Sequence, residues 1–255
     1  MNLTIEGKIH NLYYNSKNIY FSFNNLSYSI IPEEVNKFID VAIGDIIPNG
    51  SDEILVLIGD EGGNFANELI IYDVQVDSGK LEINEVYRNN LSVIKPWKIE
   101  ICNLDNDGEM EIFMAVNKGT YYYHDIGNRP FFFNFRNNGL VKKWTGSRVR
   151  APFTDVYFTD FNGNGSDEFI VIEKAENGGA MVAVYYWFGF GFILQAESQI
   201  YDNITSISSV KLDNENLLEI TIKEHHRVRR VLLEPSTVET DNGIYFLKER
   251  GHLDV

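Results

Sequence analysis

Four oxygen-bearing side chains recur at regular spacing in one nine-residue stretch, and they have the chemistry of a cation-binding loop. Asn103, Asp105, Asp107 and Glu111 occupy its first, third, fifth and ninth positions. Gly108 follows the third of them, where the chain must turn sharply and a residue without Cβ does so at the least cost. Ca²⁺ takes roughly six to eight oxygen ligands, and alternate residues of a tight loop can direct their oxygens at one ion. The sequence therefore predicts a calcium site here.

A second copy of this pattern lies further along the chain. Asp160, Asn162, Asn164 and Glu168 stand at the same four positions of a loop that also carries a glycine, Gly165, at its sixth position. The alternative for both loops is a purely structural turn, in which the Asp and Asn side chains accept hydrogen bonds from backbone amides and no ion is bound. Two copies in register favour the metal-binding interpretation, so we predict calcium at both loops.

The flanking segments distinguish these loops from an EF-hand, whose signature begins in the same way. An EF-hand needs a bidentate Glu at position 12 and a helix on each side. Position 12 is Met114 in one loop and Val171 in the other. Residues 98–102 and 111–116 are short apolar runs of strand length. The first loop is therefore predicted to join two strands.

Two degenerate copies occur at residues 45–53 and 211–219. In the earlier one Ile47 occupies the third position and removes a ligand. In the later one Lys211 occupies the first position, where its ammonium would offset a neighbouring carboxylate such as that of Asp213. We expect neither of these loops to bind an ion tightly.

The four loops begin 51 to 58 residues apart, and each ends in a Glu that is followed by an apolar strand. Repeats of this length that contain several strands predict an all-β chain forming a β-propeller, with one four-stranded blade per repeat. Five blades are favoured in one domain, and four blades with an N-terminal extension are the alternative. The predicted domain spans residues 1–255, with repeat units at 38–95, 96–152, 153–203 and 204–250 and a partial N-terminal blade at 1–37.

Composition excludes several classes of partner. The net charge is −15, with 37 acidic and 22 basic residues, which argues against nucleic acid because phosphate binding needs a basic face. No apolar run approaches the length of a membrane span, so no membrane insertion is expected. Cys102 is the single cysteine, which rules out an internal disulfide. Residues 1–10 show no signal-peptide pattern, which indicates the cytoplasm, or the cell surface or exterior if another route exports the protein.

The repeat units resemble the FG-GAP/VCBS repeats, which also form the propeller of integrin α chains. That family's calcium loop follows the pattern D-x-[DN]-x-[DN]-G-x-x-[DE] between the first two strands of a blade. Both intact loops match it, although Asn103 is a neutral oxygen ligand where the family usually has Asp. The resemblance implies a further ligand from the backbone carbonyl at the seventh position, which is Glu109 in one loop and Ser166 in the other.

Two classes of function follow from this reading. The favoured one is a calcium-stabilised, non-enzymatic propeller that presents a face to a protein or carbohydrate partner, because outward-facing aromatic rings can stack on sugars or proteins. The alternative is a glycosidase with carboxylates at the central channel, which needs two or three carboxylates around one bond. The sequence contains no P-loop, G-x-S-x-G or H-E-x-x-H motif and predicts no catalytic residues.

Overall fold

The structure is a computed structural model that describes residues 1–146, 148–212, 215–224, 227–239 and 244–253, with the backbone alone for 237–239 and 251–253. This part of the chain contains twenty β-strands and no α-helix, which confirms the predicted all-β class. None of its segments is therefore a helix long and apolar enough to cross a membrane.

The chain divides into two compact units, Met1–Cys102 with Gly108–Ser147 and Asn103–Asp107 with Arg148–Val255. The first unit contains three antiparallel sheets, each formed by four consecutive strands. These are β1 (Asn2–Ile5), β2 (Lys8–Asn15), β3 (Asn18–Phe23) and β4 (Leu26–Ile30); β5 (Asn36–Gly44), β6 (Glu53–Asp60), β7 (Glu68–Asp77) and β8 (Lys80–Asn90); and β9 (Pro96–Cys102), β10 (Glu111–Lys118), β11 (Gly127–Arg136) and β12 (Gly139–Thr145).

The second unit also contains two runs of four consecutive strands, but they belong to one sheet. Residues 196–198 pair in parallel with residues 245–247, which joins the last strands of the two runs into an eight-stranded sheet. Its end strands contact each other, so this sheet is nearly closed. The predicted repeat units 153–203 and 204–250 each correspond to one of these runs, and the parallel pairing between them satisfies backbone groups that open sheet edges would expose. The strands are β13 (Phe153–Thr159), β14 (Glu168–Lys174), β15 (Ala180–Trp187), β16 (Phe192–Ser198), β17 (Ile204–Leu212), β18 (Glu215–Glu224), β19 (Arg227–Glu239) and β20 (Tyr245–Leu253).

The N-terminal segment forms a complete four-stranded sheet, where the sequence predicted only part of a blade. Its strands are joined by tight turns, and Glu6 and Gly7 both have positive φ angles, as do Asn24 and Asn25. Positive φ at both central residues is typical of type I′ turns, whose twist matches that of the flanking strands. These turns let consecutive strands pair directly.

The second strand of a sheet carries most of the hydrophobic core. Six or seven consecutive residues of β6, β10 and β14 are buried, which explains why these strands read as continuous apolar runs instead of alternating. In the first unit, one core lies between the first and second sheets and another between the second and third. In the second unit, one core packs the two runs of the eight-stranded sheet against each other.

Within each unit, the first strands of successive four-strand runs lie together. β1 contacts β5, β5 contacts β9, and in the second unit β13 contacts β17. Asp40 of β5 reinforces this arrangement, since its Oδ2 accepts a hydrogen bond from the amide of Ile99 at 2.9 Å and its Oδ1 accepts one from Tyr14 at 3.3 Å. Burial raises the pKa of the Asp40 carboxyl above its ordinary value, although the Ile99 amide opposes this effect.

This pKa shift predicts a pH-dependent contribution to stability. Because the folded-state pKa of Asp40 is raised, its contribution is complete below the unfolded-state pKa of 3.8 and is lost as the pH rises through the folded-state pKa. Asp40→Asn keeps an oxygen acceptor for the Ile99 amide and removes the titration. We expect urea unfolding to show the variant gaining stability over the wild type as the pH rises above about 4.

Two further variants test the assignment. Asp40→Ala leaves the Ile99 amide without its acceptor and should lower the free energy of unfolding by about 1–3 kcal/mol. Asp77→Asn, at the exposed end of β7, is the matched control and should leave the pH profile unchanged. A wild-type profile that Asp40→Asn reproduces without change would contradict the assignment.

Candidate metal centre

The loop that joins β9 to β10 has the backbone of a tight turn between antiparallel strands. Asn106 has a φ of 53° and Gly108 a φ of 90°, so the chain reverses through two left-handed positions. The amide of Asn106 donates to Oδ1 of Asn103 at 2.9 Å, which holds the beginning of the turn. The strand–loop–strand context agrees with the prediction and excludes an EF-hand.

Three carboxylates of this loop converge. Asp105 and Asp107 are exposed, Glu111 is fully buried, and one oxygen from each lies within 4.8 Å of the others. Two ligands at about 2.4 Å on opposite sides of a Ca²⁺ ion are about 4.8 Å apart, so the spacing fits a hard cation. Among the residues that the structure describes, this is the single group of three or more potential metal-ligating His, Cys, Asp or Glu side chains. These residues can hold a metal ion.

Glu111 has two partners that the sequence pattern did not indicate. Its Oε1 accepts a hydrogen bond from Asn134 at 3.0 Å and contacts the ammonium of Lys143 at 2.6 Å. Asn134 lies directly opposite Glu111 in the register of β10 and β11, and Lys143 lies at a bulge of β12. The Lys143 ammonium offsets the charge of a carboxylate that has lost its water, and a bound cation would share that carboxylate with it.

The remaining predicted ligands of this loop have defined surroundings. The side-chain NH₂ of Asn103 donates to the carbonyl of Gly165 at 3.3 Å. The carboxylate of Glu109 forms a two-pronged ion pair with Arg136, whose Nε lies 2.8 Å from Oε2. That pair leaves the predicted role of Glu109 to its backbone carbonyl. Coordination by Asn103 and Glu109 stays a prediction.

The other intact loop, between β13 and β14, is held by hydrogen bonds to its own backbone. The two carboxylate oxygens of Asp160 accept from the amides of Asn164 and Gly165 at 2.9 and 3.0 Å. Oδ1 of Asn162 also accepts from the Asn164 amide at 3.0 Å, and Oδ1 of Asn164 accepts from the amide of Ser166 at 2.8 Å. Each of these oxygens keeps capacity for a second partner. The loop is therefore an ordered turn, and its calcium site stays a prediction.

Glu168 closes this loop from beneath. It is almost fully buried, and its Oε2 accepts from the amides of Phe161 and Asn162 at 2.8 and 3.3 Å. The side-chain NH₂ of Asn162 donates to its other oxygen. Burial raises the pKa of Glu168, the two amides oppose this effect, and the charges of Asp160 and Asp167 add to it.

The degenerate loop at 45–53 uses its final glutamate in the same way. Oε2 of the buried Glu53 accepts from the amides of Ile46 and Ile47, both at 2.9 Å. Burial raises the pKa of Glu53 to about 7 against these two amides, and the charges of Asp73 and Asp45 contribute. Ile47 thus serves the loop through its amide, although its side chain supplies no ligand.

In the fourth loop the described carboxylates face arginines. Glu215 contacts Arg250, and Glu219 lies 3.8 Å from Arg230. Asp213, which the sequence placed beside Lys211, lies outside the described residues. The described carboxylates of this loop are thus paired with guanidinium groups from β19 and β20, which the sequence pattern did not reveal.

An aspartate at the eighth position fastens two of the loops to a neighbouring segment. The amide of Thr4 donates to Oδ2 of Asp52 at 2.5 Å, and the Asp52 amide donates back to the Thr4 carbonyl at 2.9 Å. In the second unit Asp167 makes the same pair of bonds with Asn103, at 2.8 and 2.6 Å. The sequence carries a signal for these clamps that was missed, since Ser-Asp-Glu ends both loops.

No protein-family model matches the chain, and a search of curated proteins found no match either. The class of protein that the structure defines is therefore an all-β chain of repeated four-strand runs, in which one loop carries a carboxylate cluster suited to a metal ion.

The contact between Glu111 and Lys143 predicts a coupling between ion binding and stability. Lys143→Met leaves the buried carboxylate without its ammonium and should lower the free energy of unfolding by about 3 kcal/mol in chelator. A cation at Asp105, Asp107 and Glu111 would replace that charge, so saturating calcium should recover most of the loss. Chemical denaturation with and without calcium measures both quantities.

Lys142→Met is the matched control, because Lys142 is an exposed neighbour on the same strand. It should cost less than about 0.5 kcal/mol and leave the calcium response unchanged. A Lys143→Met penalty that is the same in calcium and in chelator would show that the ammonium and the ion do not share Glu111.

Proposed function

We propose that the protein is a calcium-stabilised, non-enzymatic binding module with β-propeller architecture, which presents a face to a protein or carbohydrate partner. The observation that carries this proposal is the convergence of Asp105, Asp107 and Glu111 in a loop between two antiparallel strands. The nature of the ion, the number of blades and the partner are the parts to be tested.

The strand arrangement supports the propeller. The described chain contains five runs of four consecutive antiparallel strands, in agreement with one blade per run. Within each unit the first strands of successive runs lie together, as strands near a central axis do. Second strands buried on both faces need a neighbouring layer on each side, which stacked blades provide. The five-bladed form is favoured over four blades with an extension, because residues 2–30 form a full sheet of their own.

The donor chemistry supports calcium. All three converging ligands are carboxylates, and hard oxygen donors in a flexible loop suit Ca²⁺ better than softer metals, which prefer nitrogen and sulfur. In the second site, Asp160, Asn162, Asn164, Glu168 and the Ser166 carbonyl are the ligands proposed. Its side-chain oxygens are already engaged by backbone amides, so it should bind more weakly than the first.

Exposed aromatic side chains support binding as the function. Tyr121 and Tyr122, in the segment between β10 and β11, are 83% and 81% exposed, and the centroids of their rings lie 5.1 Å apart. Within the second unit, Phe188 and Phe190 are 54% and 79% exposed beside the turn between β15 and β16. An exposed ring buries little apolar surface in the folded protein and so contributes little to folding. Such a ring can stack on sugar faces or on partner side chains.

Calcium binding is tested by calorimetry and by melting with and without chelator. An ion that binds only the folded chain stabilises it by about 2.7 kcal/mol at a hundredfold excess over Kd. Asp105→Ala should remove more of the response than Asn162→Ala. Lys143 offsets part of the negative charge of Glu111, but the three converging carboxylates should still give this loop the higher affinity for calcium. Asp125→Ala, at an exposed position outside both loops, is the control.

The outcomes separate the parts of this proposal. A protein that binds no calcium, and whose melting ignores chelator, would reduce both loops to turns. Equal or reversed effects of Asp105→Ala and Asn162→Ala would instead contradict the ranking of the loops and leave the sites in place.

The partner is tested with a glycan array and with affinity capture from native extract, each with and without calcium. Replacing both Tyr121 and Tyr122 by Ala should weaken binding about tenfold, which corresponds to about 1.4 kcal/mol. Tyr13→Ala is the matched control, because Tyr13 is a 53% exposed strand residue. Binding that survives the double substitution would place the contact surface elsewhere.

A further inference from the structure

The residues that surround Glu53 in the second sheet differ from those that occupy the equivalent positions around Glu111 in the third sheet. The second and third sheets can be aligned by a β-bulge that each contains in its fourth strand. The bulge in β8 lies opposite Ile71 and Tyr72 of β7, and the bulge in β12 lies opposite Phe132 and Phe133 of β11. By this alignment Glu53 corresponds to Glu111, and Asp73 corresponds to Asn134. The bulged residue that corresponds to Lys143 is Val86.

These replacements reverse the charge balance around the buried glutamate. In the third sheet, Glu111 has an amide donor from Asn134 and an ammonium from Lys143. In the second sheet, the donor becomes the acidic Asp73 and the ammonium becomes the apolar Val86. The second sheet therefore places two carboxylates where the third places one carboxylate, one amide and one cation.

The second carboxylate is buried and incompletely bonded. Asp73 is 7% exposed, and its Oδ2 accepts a hydrogen bond from Gln75 at 2.5 Å. Its Oδ1 is buried and has no hydrogen-bond partner among the described residues. A buried acceptor without a partner is costly, and it marks a place where an ion or another donor is needed. Asp73 follows Tyr72, which pairs with Ile54 at the end of the β6–β7 ladder, so it lies across from Glu53.

We propose that Glu53 and Asp73 form a second kind of cation site, at which a hard divalent cation takes the place that Lys143 fills in the third sheet. The donors are carboxylate oxygens, which such cations prefer. Asp45, half-buried at the first position of the same loop, is a third acid within electrostatic reach of Glu53. The strand residue Asp73 thereby replaces the ligand that Ile47 removes from the loop. This site is independent of the calcium sites proposed above.

The experiment uses the full chain with Asp105→Asn, Asp107→Asn and Asp160→Asn, which silences the other loops, and calcium chloride as the probe. Calorimetry and thermal melting should still detect one site. Asp73→Asn should weaken this binding by about tenfold or more, since affinity follows the number of charged ligands. The variant should fold, because Asn is the residue found at the equivalent position, Asn134.

Two further variants separate a cation site from a merely strained carboxylate pair. Val86→Lys supplies the ammonium of the third sheet, so it should raise the melting temperature in chelator and abolish the residual calcium response. Asp77→Asn, on the same strand but exposed, should change neither. The proposal is overturned if the silenced chain binds no calcium, or if Asp73→Asn and Val86→Lys leave its binding unchanged. If the wild-type protein binds calcium only at Glu53 and Asp73, and not at the loops 103–111 and 160–168, the proposed function is refuted and this site is retained.

Discussion

The burial of one glutamate at the start of a second strand constrains the loops of this protein. Glu53, Glu111 and Glu168 are each at most 1% exposed, and a carboxylate removed from water must find hydrogen bonds or an opposite charge. Two of them obtain these from amides at the second and third positions of their own loops. The first residue of the second strand therefore holds the preceding loop in place, through hydrogen bonds from two loop amides to its carboxylate. In the loop at 160–168 the oxygens of Asp160, Asn162 and Asn164 accept hydrogen bonds from amides of the same turn, so the turn is ordered without an ion.

The strands can bury this charge because the rest of the core is apolar. β6, β10 and β14 follow their glutamates with runs that are buried on both faces, and the cores on either side consist of Ile, Val, Leu and Phe. Burying a side chain of this size contributes about 1.5–3 kcal/mol, so a few such residues offset the cost of one desolvated carboxylate. The loop glutamates and the aspartate clamps lie at strand ends, whereas Asp40 and Asn134 are polar groups within strands that make hydrogen bonds to a neighbouring strand.

Much of this could be predicted from the sequence, because the features were local. The apolar runs predicted the second strands, the spacing of Asp, Asn and Gly predicted the two intact loops, and the chain proved to be all-β. What was missed depends on register between distant strands. Lys143 reaches Glu111 only because a bulge in β12 turns it inward, and the parallel pairing of β16 with β20 brings together residues about fifty positions apart. Neither leaves a periodic signal. The N-terminal sheet was predicted only in part, because most residues of β2 are exposed and only Leu12 is buried.

The clamps give the loops a consequence beyond their own residues. Asn103 is the first residue of one loop, and its backbone is also the partner of Asp167, the eighth residue of the next. Its side chain in addition donates to the carbonyl of Gly165. An ion that orders the loop containing Asn103 would therefore also restrict Asp167 and Gly165. A second ion would then bind a later loop that is already partly ordered, and its binding would cost less conformational entropy. Because binding free energies are reciprocal, an ion in the later loop would favour the earlier site to the same extent. The three hydrogen bonds between Asn103 and the later loop are thus the contacts through which ion binding in one loop would affect the other.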